Sequence, residues 1–224
     1  MQTILTNLKV AVHDEVFLKD PLSSELGKKI IEHGIELINE IGFDNFTFKK
    51  LGERIGSNES SIYRYFENKH RFLIYLTSWY WGWVEYRLVF ETNSIGDPVE
   101  KLTKALETVT RPVEQDVAVT YVNEVLLSKI VISEFSKSYL TKEVDEENQQ
   151  GFFTIYKRLI TRLADMVIAV NPEYSYPKSL MSTVIEGSLH QHFLKDHMKS
   201  ITNCNQEITP THFFKDLVFN AIRK

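Results

Sequence analysis

The stretch FTFKKLGERIGSNESSIYRYFENK, residues 46–69, decides how this chain is read. Two short amphipathic segments flank Gly56, with Leu51 and Ile55 on one side and Ile62 on the other. A helix-turn-helix must join two helices at a steep angle through a turn of about 3–4 residues. Where the helices cross, the first needs a very small side chain, and Gly52 stands there. The turn favours a residue that accepts left-handed backbone, which Gly56 supplies. Thr47 caps a helix through about residue 55, and a second is expected over 58–66. Any amphipathic hairpin would share this apolar spacing. Against that reading, the two helices are too short to be stable alone, and their exposed residues are rich in DNA-compatible types.

Outward from this segment the chain reads as all-α. Leu26, Ile30, Ile31, Ile35, Leu37, Ile38 and Ile41 trace a stripe at the 3.6 period, so a helix is expected over 24–41, ended by Gly42. A long helix over 68–90 follows, capped by Asn68. Asp97-Pro98 and Thr209-Pro210 each start a further helix, with a capping residue followed by proline at the first position. Others are expected at 116–138, 146–169 and 178–198. In the first twenty residues Val10, Val12, Val16 and Leu18 alternate around His13-Asp14, so a hairpin or extended arm competes with a helix. Two lysines against three acids make a poor DNA-reaching arm, and packing against the neighbouring helices fits better.

The 224 residues carry a net charge of -4, which by itself argues against a nucleic-acid partner. The average hides an asymmetry. Between Thr47 and Arg71 lie Lys49, Lys50, Arg54, Arg64, Lys69 and Arg71 against Glu53, Glu59 and Glu67. A basic head on an acidic body suits specific DNA binding with weak non-specific attachment. Cys204, the single cysteine, excludes an intramolecular disulfide and a cysteine-based zinc site. The opening MQTILTNLKV lacks the pattern of a secretory signal, and the most apolar stretch, 72–84, falls short of the roughly 20 apolar residues that span a bilayer. The expectation is a cytoplasmic protein without a membrane partner.

Residues 30–76, above all IIEHGIELINEIGFDNFTFKKLGERIGSNESSIYRYFENKHRFL, closely resemble the N-terminal domain of the tetracycline repressor family of transcriptional regulators. The GF-x-x-x-T entry, the small-x-x-x-Gly turn, Ile-Tyr-Arg-Tyr-Phe and the following Asn-Lys all fall at the family's spacing. The resemblance implies an all-helical homodimer of about nine helices per subunit that binds a double-stranded, palindromic operator and responds to a small-molecule effector. It implies an arm over 1–22, a three-helix helix-turn-helix domain over 23–71, and a larger C-terminal helical domain for ligand binding and dimerisation over 72–224. By the same resemblance Thr47 and Lys69 meet phosphates, Tyr63 and Tyr65 touch the DNA backbone, and Asn58, Ser60, Ser61 and Arg64 occupy or flank the groove-facing part. Lys49 adds a base or phosphate contact. Two positions depart from the family. Ser57 replaces an apolar residue and is expected to cap the second helix. Glu59 replaces a frequent lysine, so it either reads a cytosine amino group or only tunes general affinity.

Beyond residue 72 no motif appears. Trp79, Trp83, Tyr86, Tyr121, Phe153 and Tyr156 are candidate lining for an apolar or aromatic ligand, although aromatic density is more often core. Leu180, Val184, Leu189, Phe213, Leu217 and Val218 are candidate dimerisation residues on the last two helices. His190 and His192 point to different faces, and His192 with Asp196 lacks a third ligand, so no metal is expected. No nucleophile elbow, phosphate loop or dinucleotide fingerprint is present. No cofactor, catalytic residue or enzymatic activity is expected. A ligand-released repressor is one reading. The alternative is a helical interaction protein or an enzyme whose head only resembles a DNA reader.

Overall fold

The computed structural model describes residues 10–114 and 121–223, and among these all regular structure is helical. The α-helices are α1 (Glu25–Ile41), α2 (Phe48–Ile55), α3 (Glu59–Tyr63), α4 (Lys69–Thr92), α5 (Pro98–Thr110), α6 (Glu124–Glu134), α7 (Val144–Gln149), α8 (Thr154–Val170), α9 (Pro177–His197) and α10 (Pro210–Ala221).

Most helix starts follow from the residue just before them. Ser24, Thr47, Asn58, Asp97 and Asn123 each accept a backbone N–H of the first turn through a side-chain oxygen, satisfying a donor that has no partner inside the helix. Asn68 does the same for Arg71 N at 2.9 Å. At α10, Thr209 and His212 form a reciprocal cap behind Pro210.

Three expectations need correction. The helix expected over 116–138 begins only at Glu124, where Asn123 caps it, and gives way to a 3-10 turn at Phe135–Ser138; its first residues, 116–120, lie outside the described part. The helix expected over 146–169 is two helices, because Gly151 takes a left-handed φ of 87° between α7 and α8. The amino-terminal segment, of which residues 1–9 lie outside the description, is neither hairpin nor strand from residue 10 onward. It runs through 3-10 turns at Asp14–Val16 and Pro21–Ser23. It packs on its neighbours as anticipated: Val10, Val12 and Val16 are buried, and Leu18 N donates to Tyr65 O at 2.8 Å.

The chain forms two compact units, one of residues 1–82 and 113–155, the other of 83–112 and 156–224. In the first, α1 packs on α2, on α6 and on the turn at Pro21–Ser23, while α2 packs on α3. Its centre is aromatic. Phe46, Phe66 and Phe72 are fully buried, with Phe46–Phe72 stacked at 5.6 Å and Phe66–Phe72 edge-on at 5.0 Å. These rings supply the burial that α2 and α3 are too short to provide. In the second unit α5, α9 and α10 pack on one another. His192 Nε2 donates to Thr110 O at 2.8 Å, and Lys215 reaches Glu107 at 2.8 Å.

Candidate functional site

The site is built on the α2–α3 pair. Thr47 Oγ1 accepts Lys50 N at 3.2 Å and fixes the start of α2. Gly56, with φ 66° and ψ 34°, turns the chain, and Ser57 N donates to Gly52 O at 2.9 Å. The cap of α3 is Asn58, not Ser57. Asn58 Oδ1 accepts from Ser61 N at 2.8 Å, Ser61 Oγ at 2.7 Å and Ser60 Oγ at 2.9 Å. Asn58 stands one residue nearer the helix, where its oxygen meets the donors. This cluster has a chemical consequence. Bidentate recognition of adenine needs both the oxygen and the nitrogen of an asparagine amide, and here the oxygen already holds the helix end.

Exposure sorts the expected residues. Thr47, Lys49, Asn58, Ser60, Tyr63 and Arg64 are exposed, whereas Glu59 and Ser61 are half-buried. Tyr63 lies edge-on against Phe48 at 5.0 Å. Partial burial, the charge of Glu59 and a hydrogen bond to it raise the Tyr63 phenol above its ordinary value. Glu59 therefore has a partner one turn along its own helix. Tyr65 is placed differently from expectation. It is 3% exposed, and its hydroxyl pairs with Ser24 Oγ at 2.7 Å and receives Lys19 Nζ at 3.4 Å, so it ties the amino-terminal segment to the head instead of facing outward. Burial opposes its ionisation, yet these two hydrogen bonds lower the phenol's pKa.

The basic cluster also resolves into two kinds of cation. Lys50 Nζ donates to Asn45 O at 2.9 Å. Arg54 bridges Glu40 at 2.6 Å and Glu36 at 3.2 Å. Arg71 lies over the Phe152 ring at 4.0 Å and 3.6 Å from Glu67. Lys69, expected on a phosphate, sends Nζ to the carbonyls of Phe43 (3.1 Å), Asp44 (3.1 Å) and Phe46 (3.3 Å) and sits over the Phe43 ring. An ammonium has three donors, and all three are engaged. Among the described residues, Lys49 and Arg64 remain without an ion pair or hydrogen bond. The sequence showed that the segment was basic, but not which charges were free.

The candidate ligand residues divide between the units. Trp79, Tyr121 and Phe153 belong to the first, and Trp83, Tyr86 and Tyr156 to the second. Trp79 and Trp83 are fully buried, Tyr86 stacks on Phe90 at 6.2 Å, and Tyr156 donates to Glu186 at 3.1 Å. Burial raises the Tyr121 phenol above its ordinary value. Three cavities of the second unit are lined by other residues. One of about 590 Å³ lies between Gln191, the 200–208 loop and α10. Among the dimerisation candidates, Val184, Leu189 and Val218 are buried within their own unit, where α5, α9 and α10 pack on one another. Phe213 is 44% exposed, Leu217 37%, and Leu180 is half-buried. No group of three metal-ligating side chains occurs among the described residues, and none of their helices is long and apolar enough to cross a membrane.

Residues 30–76 match the family model described as bacterial regulatory proteins, tetR family. A curated relative, the tetracycline repressor protein class G of Vibrio anguillarum, is 41% identical over 44 residues, which is 20% of this chain. The chain spans 21% of that repressor's length. Among solved structures, AibR in complex with isovaleryl coenzyme A and operator DNA is similar, at TM-score 0.57 and 14% identity over 86% of this chain and 97% of that one. The superantigen PfiT is similar at TM-score 0.57 and 12% identity over 90% of this chain and 97% of that one. At such identities the likeness is one of fold, and fold alone does not fix function.

Proposed function

We propose that this chain, which carries a tetR-family N-terminal domain, is a cytoplasmic, homodimeric repressor that binds a palindromic double-stranded operator and leaves it when a small molecule binds. The observation that carries the reading is the α2–α3 pair. It presents two unpartnered cations, Lys49 and Arg64, beside the exposed Thr47, Ser60 and Tyr63. Arg64 is the candidate guanine reader, and Thr47, Lys49 and Tyr63 meet the phosphate backbone. Asn58, Ser60 and Ser61 form the groove-facing end of α3. Glu59 tunes general affinity, since it is engaged with Tyr63. Lys69 holds the 43–46 loop in place. The arm of 1–22, the head of 23–71 and the body of 72–224 are the functional divisions of this reading.

Phe213, Leu217 and Leu180 offer the apolar surface for a two-fold partner. The similar AibR structure, solved with operator DNA and isovaleryl coenzyme A, supports a body that takes a ligand.

A gel shift with DNA from upstream of its own and neighbouring genes tests the proposal. Wild type is expected to retard a discrete fragment as a dimer, and Arg64→Ala to lose roughly tenfold or more in affinity, as for the loss of a bidentate base contact. A folded protein that retards none of these fragments, or sediments as a monomer at micromolar concentration, overturns it.

A further inference from the structure

The second unit contains a groove of about 330 Å³ formed by the end of α4, the start of α5 and the later turns of α8. Its apolar surface comes from the half-buried Met166 and the exposed Val89 and Ala169, while Leu88, also at the groove, is fully buried. Its polar rim carries Lys101, Arg162 and Asp165. Thr92 adds no free donor, because its hydroxyl turns back to Leu88 O at 2.7 Å.

The two cations are poised differently. Lys101 has no hydrogen bond or ion pair among the described residues. Arg162 is oriented from behind: its Nε donates to Glu85 Oε1 at 2.6 Å. Glu85, whose side chain is only 7% exposed, is also gripped by Nε and Nη2 of Arg158. Burial opposes ionisation of Glu85, but the hydrogen bonds from Arg158 and Arg162 outweigh it and hold the carboxyl below the usual carboxylate range. Glu85 is therefore charged at neutral pH and holds the guanidinium in place. A guanidinium bound at Nε keeps its terminal Nη1/Nη2 edge free, and that fork matches a carboxylate bidentately. Asp165 is one negative charge against two positive ones, so the rim is net positive on a chain whose net charge is -4.

We infer that this groove binds a small amphiphilic monocarboxylate, with its carboxylate on Lys101 and the free edge of Arg162 and its tail along Val89 and Met166. The volume lies near the lower end of the roughly 300–1,000 Å³ of small-molecule pockets, so the tail is short. The inference names the effector class of the ligand-responsive reading above and rests on it.

The test uses the full-length protein with 13C-methyl methionine and octanoate as probe. The Met166 methyl resonance is expected to move saturably, while that of Met181, which is no part of the groove, stays. Octan-1-ol and octylammonium are expected to bind at least tenfold more weakly, and Lys101→Ala and Arg162→Gln each to weaken octanoate about tenfold. Lys101→Ala removes no hydrogen bond or ion pair among the described residues, and an unchanged melting temperature of the variant separates lost binding from misfolding. An unmoved Met166 resonance, equal binding of octanol, or an unchanged affinity in Lys101→Ala overturns the inference. Gel shifts on the same samples separate the two claims: operator binding without a Met166 response defeats the groove and leaves the regulator standing. A Met166 response without operator binding does the reverse.

Discussion

Gly52 and Gly187 each stand at a helix crossing, and different things fill the space beside them. At Gly52, where α2 meets α3, an added Cβ would lie 2.9 Å from Ser57 O and 3.3 Å from Glu59 N, both backbone atoms of the following turn. At Gly187 on α9 it would lie 2.8 Å from Cζ of Phe214, a ring carried on α10. The first crossing is closed by chain that follows within the same motif and cannot move without moving α3. The second is closed by a side chain brought from a separate helix, which has rotamers and neighbours to yield into. The same residue type therefore fixes geometry in one place and only admits a neighbour in the other.

Substitution at both glycines sharpens this contrast and should give the largest effect. Alanine gains about 1 kcal/mol of helix propensity over glycine in a helix interior. At Gly52 overpacking against backbone, about 1–3 kcal/mol, exceeds that gain. Gly52→Ala is thus expected to destabilise the protein by up to about 2 kcal/mol and to weaken operator binding. Gly187→Ala is expected to stay within about 0.5 kcal/mol, because the ring shifts and propensity offsets the cost. Urea denaturation of both variants checks this, and equal losses would erase the distinction.

A smaller effect is expected at Lys69, which tells a clamp on the head from a contact to DNA. With its ammonium on three carbonyls, Lys69→Ala should cost about 1 kcal/mol of stability and leave the slope of log affinity against log salt unchanged. A phosphate contact would instead make that slope shallower by roughly 1. The salt series decides between them.

The smallest effect belongs to the second unit and to pH. Burial above all, with Lys195 adding to it, lowers the His192 pKa below its ordinary 6.5, against the hydrogen bond to Thr110 O and the charge of Asp196. The folded state then takes up its proton at lower pH than the unfolded chain. Stability from this group is complete above about 6.5 and is lost as pH falls through the depressed value. His192→Gln should show a flatter decline in melting temperature between neutral pH and pH 5 than wild type. Parallel curves would mean that folding leaves the imidazole's proton affinity unchanged.

Legibility followed the distance over which each signal acts. The caps at Thr47, Asn68, Asp97 and Thr209, the left-handed Gly56 and the small Gly52 could all be read, because each answers a demand made by atoms a few residues away. The break at Gly151 was missed since residues 145–150 carry no apolar side chain, so no hydrophobic period stops there to mark the turn. Tyr65 fits the motif in sequence, yet Ser24 and Lys19 claim its hydroxyl from an earlier part of the chain.

By itself the sequence determined the helical character of the chain and the helix-turn-helix, because hydrophobic period, caps and turn glycines are local constraints on backbone donors and dihedrals. Tertiary structure alone decided which charges and apolar faces are left over. Lys69, Arg54 and Arg162 read alike as basic residues, but one was drawn to loop carbonyls, one to two glutamates of α1, and one to a buried glutamate that leaves its fork open. Val184 and Val218 read like Phe213 and Leu217, but the packing of α9 on α10 buried the first pair and left the second exposed. Long side chains reach partners set by the fold, and no local period records where those partners lie.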